Sequence, residues 1–405
     1  MSTNRTEYDL VVLGGGIAGL GVAWEATLRG LKVLLLERDR FGAATSANSL
    51  RIIHGGLRYL QSLSLKRVLV SSREQYHLLK SNPNHISLLK CLMPLKGSGM
   101  RSSWPVAAAL SFHSSLAHLC GLRPKPGSVL SKLEIERQFP EIPVDCSRGA
   151  LLWYDAELCD HARFVADIVS DCRLHGAVLL EGSEVRSVSR KNIASFEVEY
   201  NTVDSAQSVS ALAVVNALGA GQMGVEVKGV AKLFRPHAWC RAFNVILNRV
   251  LYEGVAIGSH SDSGRLFFAV PRASGTAIGT GYLPYDEFSK SLKLSDAEIE
   301  YFLSEFNSTL DTSAKAVQIQ DVNSVEVGLL PAVSVNQEHC ELYGDYRLSC
   351  DNGYWELLAT KYTTFRAQAE ELVTAILRYL KKPRTPSATL GRRLERTRMR
   401  DNLSR

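Results

Sequence analysis

Residues Asp9–Asp39 read DLVVLGGGIAGLGVAWEATLRGLKVLLLERD, and this stretch decides the fold. A short apolar run, Leu10 to Leu13, enters Gly14-Gly15-Gly16-Ile17-Ala18-Gly19, a full G-x-G-x-x-G. The pattern predicts a strand, a helix from Ile17 to about Arg29, a turn at Gly30, and a second strand from Val33 to Leu36 ending on Glu37. In such a βαβ unit Gly14 permits the tight turn, Gly16 lets a pyrophosphate approach the backbone, and Gly19 lets helix and strand pack closely. Unpaired N–H groups and the positive dipole end favour anions at the helix N-terminus. Glu37, eighteen residues past Gly19, is placed to accept hydrogen bonds from an adenosine ribose. Strand, helix, strand and acid together predict a dinucleotide site.

Gly219-Ala220-Gly221-Gln222-Met223-Gly224 repeats the literal motif after the apolar run Ala211 to Leu218. Its context differs: no amphipathic helix follows, Pro236 interrupts the next stretch, and no strand ends on an acid about twenty residues later. It reads as a turn after a buried strand. One dinucleotide unit, touched again by a returning strand, suits FAD better than a flavin reductase with a second nucleotide site.

The chain has 405 residues, enough for two domains. Its +6 charge is uneven: Lys381 to Arg405 holds nine basic and two acidic residues, a net of +7, which leaves the remainder near neutral at −1. That composition predicts a solvated, frayed basic tail and gives no support to nucleic-acid binding. The eight cysteines are scattered without a C-x-x-C pair, which suits a reducing, cytoplasmic setting. Val106 to Leu122 is apolar but carries Ser111, His113, Ser114, Ser115 and His118, costly groups for a lipid-spanning helix. Peripheral contact with the inner face of a membrane is left open.

Periodicity predicts a helix from Leu57 to about Lys80, an irregular proline-rich region from Cys91 to Ile142, and a helix capped by Asp160 and closed by Gly176. Short β-type runs from Cys240 to Thr280 predict an antiparallel sheet. Ser295 and Glu298 make a capping box, and Thr363 or Thr364 caps a last helix that stops before Pro383. Asp160 and Ser295 read as caps rather than catalysts.

From about Tyr8 to Leu380 the chain resembles the FAD-dependent glycerol-3-phosphate dehydrogenases, within the D-amino-acid-oxidase-like flavoprotein group. The likeness rests on LLLERDRFGAATSANSLRIIHGGLRYL, LLWYDAELCDHARFV, LFFAVPRASGTAIGTGYLPYD and LLATKYTTFR, in that order. It implies an α/β chain: a Rossmann-like FAD-binding domain assembled from discontinuous segments (1–90, 145–230 and 325–382) plus an antiparallel β-sheet substrate domain (231–324). Residues 91–144 would form a cap or insertion and 383–405 a basic tail. By resemblance Gly14, Gly16, Gly19, Glu37 and Arg38 hold the adenosine diphosphate end, and Thr45 and Ser46 meet pyrophosphate or ribityl oxygens. Gly55 and Gly56 let the backbone approach the isoalloxazine ring. Val185 and Gly219 contact the adenine side, and Lys361 with Thr363 lies beside the pyrimidine end. A cation and a helix N-terminus there stabilise the charge that appears when the ring accepts a hydride.

His54 is the expected base, with Lys361 polarising the substrate and Arg51 and Tyr59 contacting it. His237 reads as structural. The family's glycine-leucine-arginine-proline is Gly328-Leu329-Leu330-Pro331 here, and a second family arginine is Gln337 before Glu338. Leu330 cannot replace an arginine's charge or its fork of donors for a substrate phosphate, unless Arg51, Arg241 or Arg272 compensates. The expected activity is oxidation of a small polar alcohol or amine by hydride transfer to flavin, with quinone or oxygen as the unresolved acceptor. The alternatives are an amino-acid or amine oxidase of the same group and a flavin-binding protein without turnover.

Overall fold

The computed structural model describes residues 7–60, 64–95, 103–140, 142–193, 195–231, 234–273, 275–286, 291–336 and 340–395. Gln337 and Glu338 lie outside the described residues. The chain opens with β1 (Glu7–Leu13), α1 (Ile17–Leu28) and β2 (Val33–Leu36). It continues through β3 (Ile52–Ile53), α2 (Leu65–Ser81), β4 (Ile86–Pro94), α3 (Ser103–Leu119), β5 (Ser128–Leu130), α4 (Lys132–Gln138) and β6 (Ala150–Leu158). Next come α5 (His161–Leu174), β7 (Val178–Leu180), β8 (Glu184–Asn192), β9 (Ser195–Asn201), β10 (Ala206–Asn216) and β11 (Glu226–Lys228). Four strands, β12 (Ala238–Leu247), β13 (Ala256–His260), β14 (Leu266–Arg272) and β15 (Gly275–Pro284), precede α6 (Asp296–Asn307). The last elements are β16 (Val322–Val335), β17 (Cys340–Leu342), β18 (Arg347–Asp351), β19 (Tyr354–Leu358) and α7 (Phe365–Tyr379).

Two sheets organise these elements. The first runs β11-β8-β9-β10-β1-β2-β7, with β19 beside the end of β10 and β18 beyond it. Its centre is parallel: β1 pairs with β2 and β10, β2 with β7, and β10 with β19. Strands buried on both faces read as continuous apolar runs, which is why β2 is simply VLLL. Helix α1 is buried almost all round and packs with the apolar stripes of α5 and α7 in one core. Asp160 caps α5 by accepting from the Arg163 N–H, as its sequence predicts.

The second sheet runs β17-β16-β12-β15-β14-β13-β4-β6-β3, with β5 beside β6. Its odd-numbered residues Phe243, Val245, Phe267 and Ala269 pack beneath Ile299, Phe302, Leu303 and Phe306 of α6. Ser295 and Glu298 close the α6 capping box from both sides. The opposite face, bearing Asn244, Phe268, Gly279 and Gly328, turns toward the loop after β2, where Leu50 abuts Gly279 and Thr45 abuts Gly328.

Three expectations are corrected. The helix predicted from Leu57 begins at Leu65; Leu57–Leu60 is a separate short turn after Gly56, whose φ is +92°. The region read as irregular holds α3, β5 and α4, and β4 and β6 pair along their whole length inside the second sheet. The basic tail is not frayed as far as Glu395: Arg29 binds Thr385, Glu25 accepts from Thr389, and Arg392 grips both oxygens of Asp171 at 2.6 and 2.8 Å. The buried Glu25 of α1 and the half-buried Asp171 of α5 select this terminal strap.

Arg392→Ala is expected to lower the unfolding free energy by about 1–2 kcal/mol, a charge-assisted pair discounted for partial exposure. Burial alone would raise the Asp171 carboxyl, but the Arg392 and Trp24 hydrogen bonds outweigh it and hold it below the ordinary value. A depressed carboxylate stabilises the fold above its unfolded pKa of about 3.9 and loses that contribution as pH falls through the folded value. Urea midpoints of the two proteins should therefore differ at neutral pH and converge in acid.

Candidate active site

At the first loop the sequence places glycine where no other residue fits. Gly14 has φ +96°, and a Cβ on it would lie 2.8 Å from the Ala217 carbonyl oxygen. A Cβ on Gly19 would collide with the Gly14 carbonyl oxygen. Gly16, the N-cap of α1, has no side chain to cap the helix and the first turn has no acid, so the N-terminal donors other than the Ile17 N–H stay available to an anion. Ser46 Oγ accepts from the Ile17 N–H at 3.0 Å. Glu37 accepts from Gly15 N at 2.6 Å and Asp39 N at 2.8 Å, which fixes its carboxylate at the rim of the loop. Gly14, Gly16, Gly19, Glu37 and Ser46 are thus brought together.

The other expected residues make contacts of their own. Arg38 is exposed and paired with Asp39. Thr45 Oγ1 exchanges hydrogen bonds with the Leu329 backbone at 3.0 and 3.1 Å and so ties the loop to β16. Val185 is buried in the cluster that also holds Leu34 and Leu36. Gly219 begins a short helical turn with φ +54°.

A second group forms around His54, which follows the two-residue strand β3. Its Nδ1 lies 3.0 Å from Asp155 Oδ2, and the other Asp155 oxygen accepts from Gly55 N at 2.7 Å. Trp153 Nε1 donates to Asp155 at 3.2 Å. Burial alone would raise the Asp155 carboxyl, but these donors outweigh it and keep it below the ordinary carboxylate range. An ionised, acceptor-only carboxylate requires Nδ1 to carry hydrogen, which leaves His54 Nε2 as the unprotonated nitrogen of the neutral ring. Thr363 Oγ1 accepts from the His54 N–H at 3.1 Å, so the segment before α7 lies against this loop. Lys361 Nζ donates to the Gly344 carbonyl and stands 4.6 Å from the centroid of the Tyr59 ring. Thr360 Oγ1 is buried with no hydrogen-bond partner among the described residues.

Gly55 and Gly56 also lie close against α2. A Cβ on Gly55 would strike the Gln75 side chain, and one on Gly56 would lie 2.8 Å from Val68 O, both on α2. From α3, His113 Nε2 reaches the Gly55 carbonyl at 3.0 Å.

Beyond His54 lie two arginines and two glutamates. Arg51, at φ +59°, pairs loosely with Glu326 at 3.9 Å, and Arg272 with Glu157 at 3.8 Å. Burial pushes both glutamates up, partly offset by Arg272 and Arg51. Burial and the neighbouring Arg51 bring Arg272 down to about 10. Arg241 is fully engaged by Pro284 O, Lys293 O and Glu298 and so serves the fold. His237 is exposed ahead of β12. Asp155, Glu157 and Glu326 escaped sequence reasoning; only the W-Y-D-A-E alternation of β6 hinted that two acids share a face.

The comparisons agree with this geometry. A family model described as FAD dependent oxidoreductase matches residues 9–345. This chain belongs to that family. The FAD-dependent oxidoreductase is 28% identical to the glycerol-3-phosphate dehydrogenase of Synechocystis sp. over 95% of its own length and 73% of the relative's. Among solved structures it resembles the glycerol-3-phosphate dehydrogenase from Bacillus halodurans complexed with FAD, at TM-score 0.69 and 21% identity, covering 95% of this chain and 68% of that one. Glycine oxidase from Geobacillus kaustophilus shares the fold at TM-score 0.62 and 17% identity, over 96% and 99% of the two chains. The residues fit FAD: a helix N-terminus with no acid in its first turn meets a glycine turn that a Cβ would fill, and Thr360 Oγ1, next to Lys361, has no protein partner among the described residues. No described helix is long and apolar enough to cross a membrane. Among the described residues no group of three or more His, Cys, Asp or Glu could hold a metal ion.

Proposed function

We propose that this oxidoreductase oxidises a small, polar, non-phosphorylated alcohol or amine, with His54 taking the proton. The observation that carries this is the His54–Asp155 pair beside Thr363 and Lys361. Bound FAD supplies the hydride acceptor. Gly14, Gly16, Gly19, Ser46 and Glu37 hold its adenosine diphosphate end. Asp155 orients His54 so that Nε2 accepts the hydroxyl or ammonium proton, and Lys361 with Thr363 flanks the pyrimidine side.

The substrate class follows from charge. Arg51, Arg272, Glu157 and Glu326 sum to zero, Leu330 adds none, and Arg241 is committed to the fold. A phosphate dianion would meet two carboxylates; a neutral or zwitterionic molecule would meet matched partners of both signs. The test is anaerobic bleaching of the flavin with glycerol, small hydroxy acids, amino acids and glycerol 3-phosphate. Rapid bleaching by low glycerol 3-phosphate alone defeats the substrate reading, and a bound flavin that nothing in the panel bleaches favours a protein without turnover. Glu157→Gln with Glu326→Gln is expected to lower KM for glycerol 3-phosphate relative to glycerol by about tenfold or more, since two like charges leave the site.

A second proposal concerns α3, which faces an anionic membrane surface. Of its residues only Leu110 and Ala117 are buried, while Trp104 is 83% exposed, Leu119 86% and Phe112 49%. Between Glu74 and Glu134 the sequence has no acid and seven lysines or arginines. An apolar helix face within a wholly basic stretch suits the interface of an anionic bilayer. Through His113 and the Gly55 carbonyl this helix adjoins the His54 loop, which favours a lipid-soluble acceptor. Sedimentation with phosphatidylglycerol vesicles should carry the protein down, and replacing Trp104, Phe112 and Leu119 by serine should cut the bound fraction about tenfold. Absence of binding to those vesicles defeats this proposal and leaves the first intact.

A further inference from the structure

His161, the first residue of α5, joins two segments that the sequence keeps far apart. Its buried ring places Nε2 at 2.8 Å from the Gly42 carbonyl oxygen and Nδ1 at 3.2 Å from the Tyr362 hydroxyl. A carbonyl oxygen only accepts, so Nε2 carries the hydrogen. The neutral ring then presents a lone pair at Nδ1, and the Tyr362 O–H donates to it. Burial, with the charge of Arg51, holds the ring below its ordinary value against the Gly42 bond and Asp160, which favours that neutral form. The link therefore runs one way, from the Tyr362 O–H through the imidazole to the Gly42 carbonyl.

Both ends of the link border the residues that fit FAD. The Gly42 N–H donates to the Gly15 carbonyl at 2.8 Å, so the loop after β2 leans on the glycine turn before α1. On its other side Gly42 packs so closely on α5 that a Cβ would lie 2.7 Å from Val165. Further along the same loop Ser46 accepts from the Ile17 N–H. Tyr362 stands between Lys361 and Thr363 in the connection from β19 to α7, where Thr363 accepts from the His54 N–H. The Tyr362 ring meets those of His161 and Phe365 edge-on, with centroids 5.8 and 5.9 Å away.

We propose that His161 and Tyr362 are positioning residues for FAD, which hold the Gly42–Ser46 loop and the Lys361–Thr363 segment in one arrangement before the cofactor enters. The inference rests on the placement of FAD given above, with the glycine turn at its phosphates and Lys361 and Thr363 beside its ring. Neither side chain is assigned a contact with reacting atoms. A loop ordered beforehand gives up less freedom on binding, and that gain appears as slower release of the bound molecule.

Flavin release from the purified holoenzyme, followed as the rise of flavin fluorescence after dilution, tests the link. His161→Ala is expected to speed release about tenfold and Tyr362→Phe about threefold. The double variant should stay near tenfold, because two members of one link do not act independently; independent packing effects would instead multiply to about thirtyfold. His161→Gln restores a donor to Gly42 but offers Tyr362 no ring nitrogen, so it should match Tyr362→Phe at about threefold. Tyr362→Phe removes a single oxygen and reports on the link even where the alanine protein does not fold. Wild-type release from both single variants overturns the inference, as does multiplication of their effects in the double variant. Gly19→Ala separates this inference from the cofactor placement. If it keeps a full complement of flavin, the placement is wrong and the inference falls with it. If it loses flavin while the His161 and Tyr362 variants release theirs at the wild-type rate, the inference falls alone.

Discussion

Replacing His54 by alanine should leave flavin binding intact and reduce the rate of flavin reduction by about 10²–10⁴-fold, the usual worth of a positioned general base. The expectation rests on the Asp155 carboxylate, whose four donors, His54, Gly55, Trp153 and Gln75, keep it ionised in a buried place and so fix the His54 tautomer. Asp155→Asn should preserve the volume yet lose most of the rate, because an amide does not impose Nδ1–H on the ring. It should also weaken the loop, since Gly55 N loses its charged acceptor. Stopped-flow reduction under anaerobic conditions separates these effects from cofactor affinity. A His54→Ala protein that reduces its flavin within about threefold of the wild-type rate, far above the loss expected of a general base, would show that the imidazole only supports the loop.

Gly19→Ala should abolish cofactor retention. Its Cβ would occupy the Gly14 carbonyl position, and α1 cannot back away because nearly every residue along it is buried against other helices and the sheet. Overpacking of this kind costs about 1–3 kcal/mol even where neighbours relax, and here the neighbour is backbone. Gly16→Ala is the informative contrast: its Cβ would stand 3.2 Å from Ser46 Oγ, a side chain that can yield. Gly30→Ala, at φ +81° in open space, tests backbone strain alone. The flavin-to-protein ratio after purification should fall to near zero for Gly19→Ala and change little for Gly30→Ala. A Gly19→Ala protein with a full complement of flavin would show that the turn tolerates rearrangement.

Local chemistry made the first unit legible: β2 spans the four residues expected of it, α1 starts where the glycines end, and the Asp160 and Ser295 caps do what their spacing implies. What could not be read depends on contacts distant in sequence. Strand β4 finds its ladder partner only in β6, more than fifty residues later. The Ser131–Glu134 capping box of α4 was a readable signal inside a stretch that its prolines made look irregular. Thr363 resembles a helix cap in sequence, yet its hydroxyl serves the His54 N–H, while Thr364 occupies the cap position without capping a backbone group. Asp155 is one acid among forty-one Asp and Glu residues until the β3–β6 pairing brings it to His54. The glycines at 55 and 56 signalled a close approach, and one neighbour that makes it is α2.

The central pairing order of the first sheet has a temporal meaning. Strand β1 precedes both of its partners, β2 and β10; β10 in turn needs β19, and α1 is clasped by Thr385 and Thr389. A ribosome delivers these pieces in sequence, so the glycine turn emerges long before anything can hold it in shape. Cofactor capture therefore waits until β10, β19 and the segment around Thr385–Thr389 have emerged. Until then the nascent chain must carry an apolar β1-α1-β2 segment without its neighbours, which makes the interval before β19 and the strap arrive the period of greatest exposure to aggregation and proteolysis.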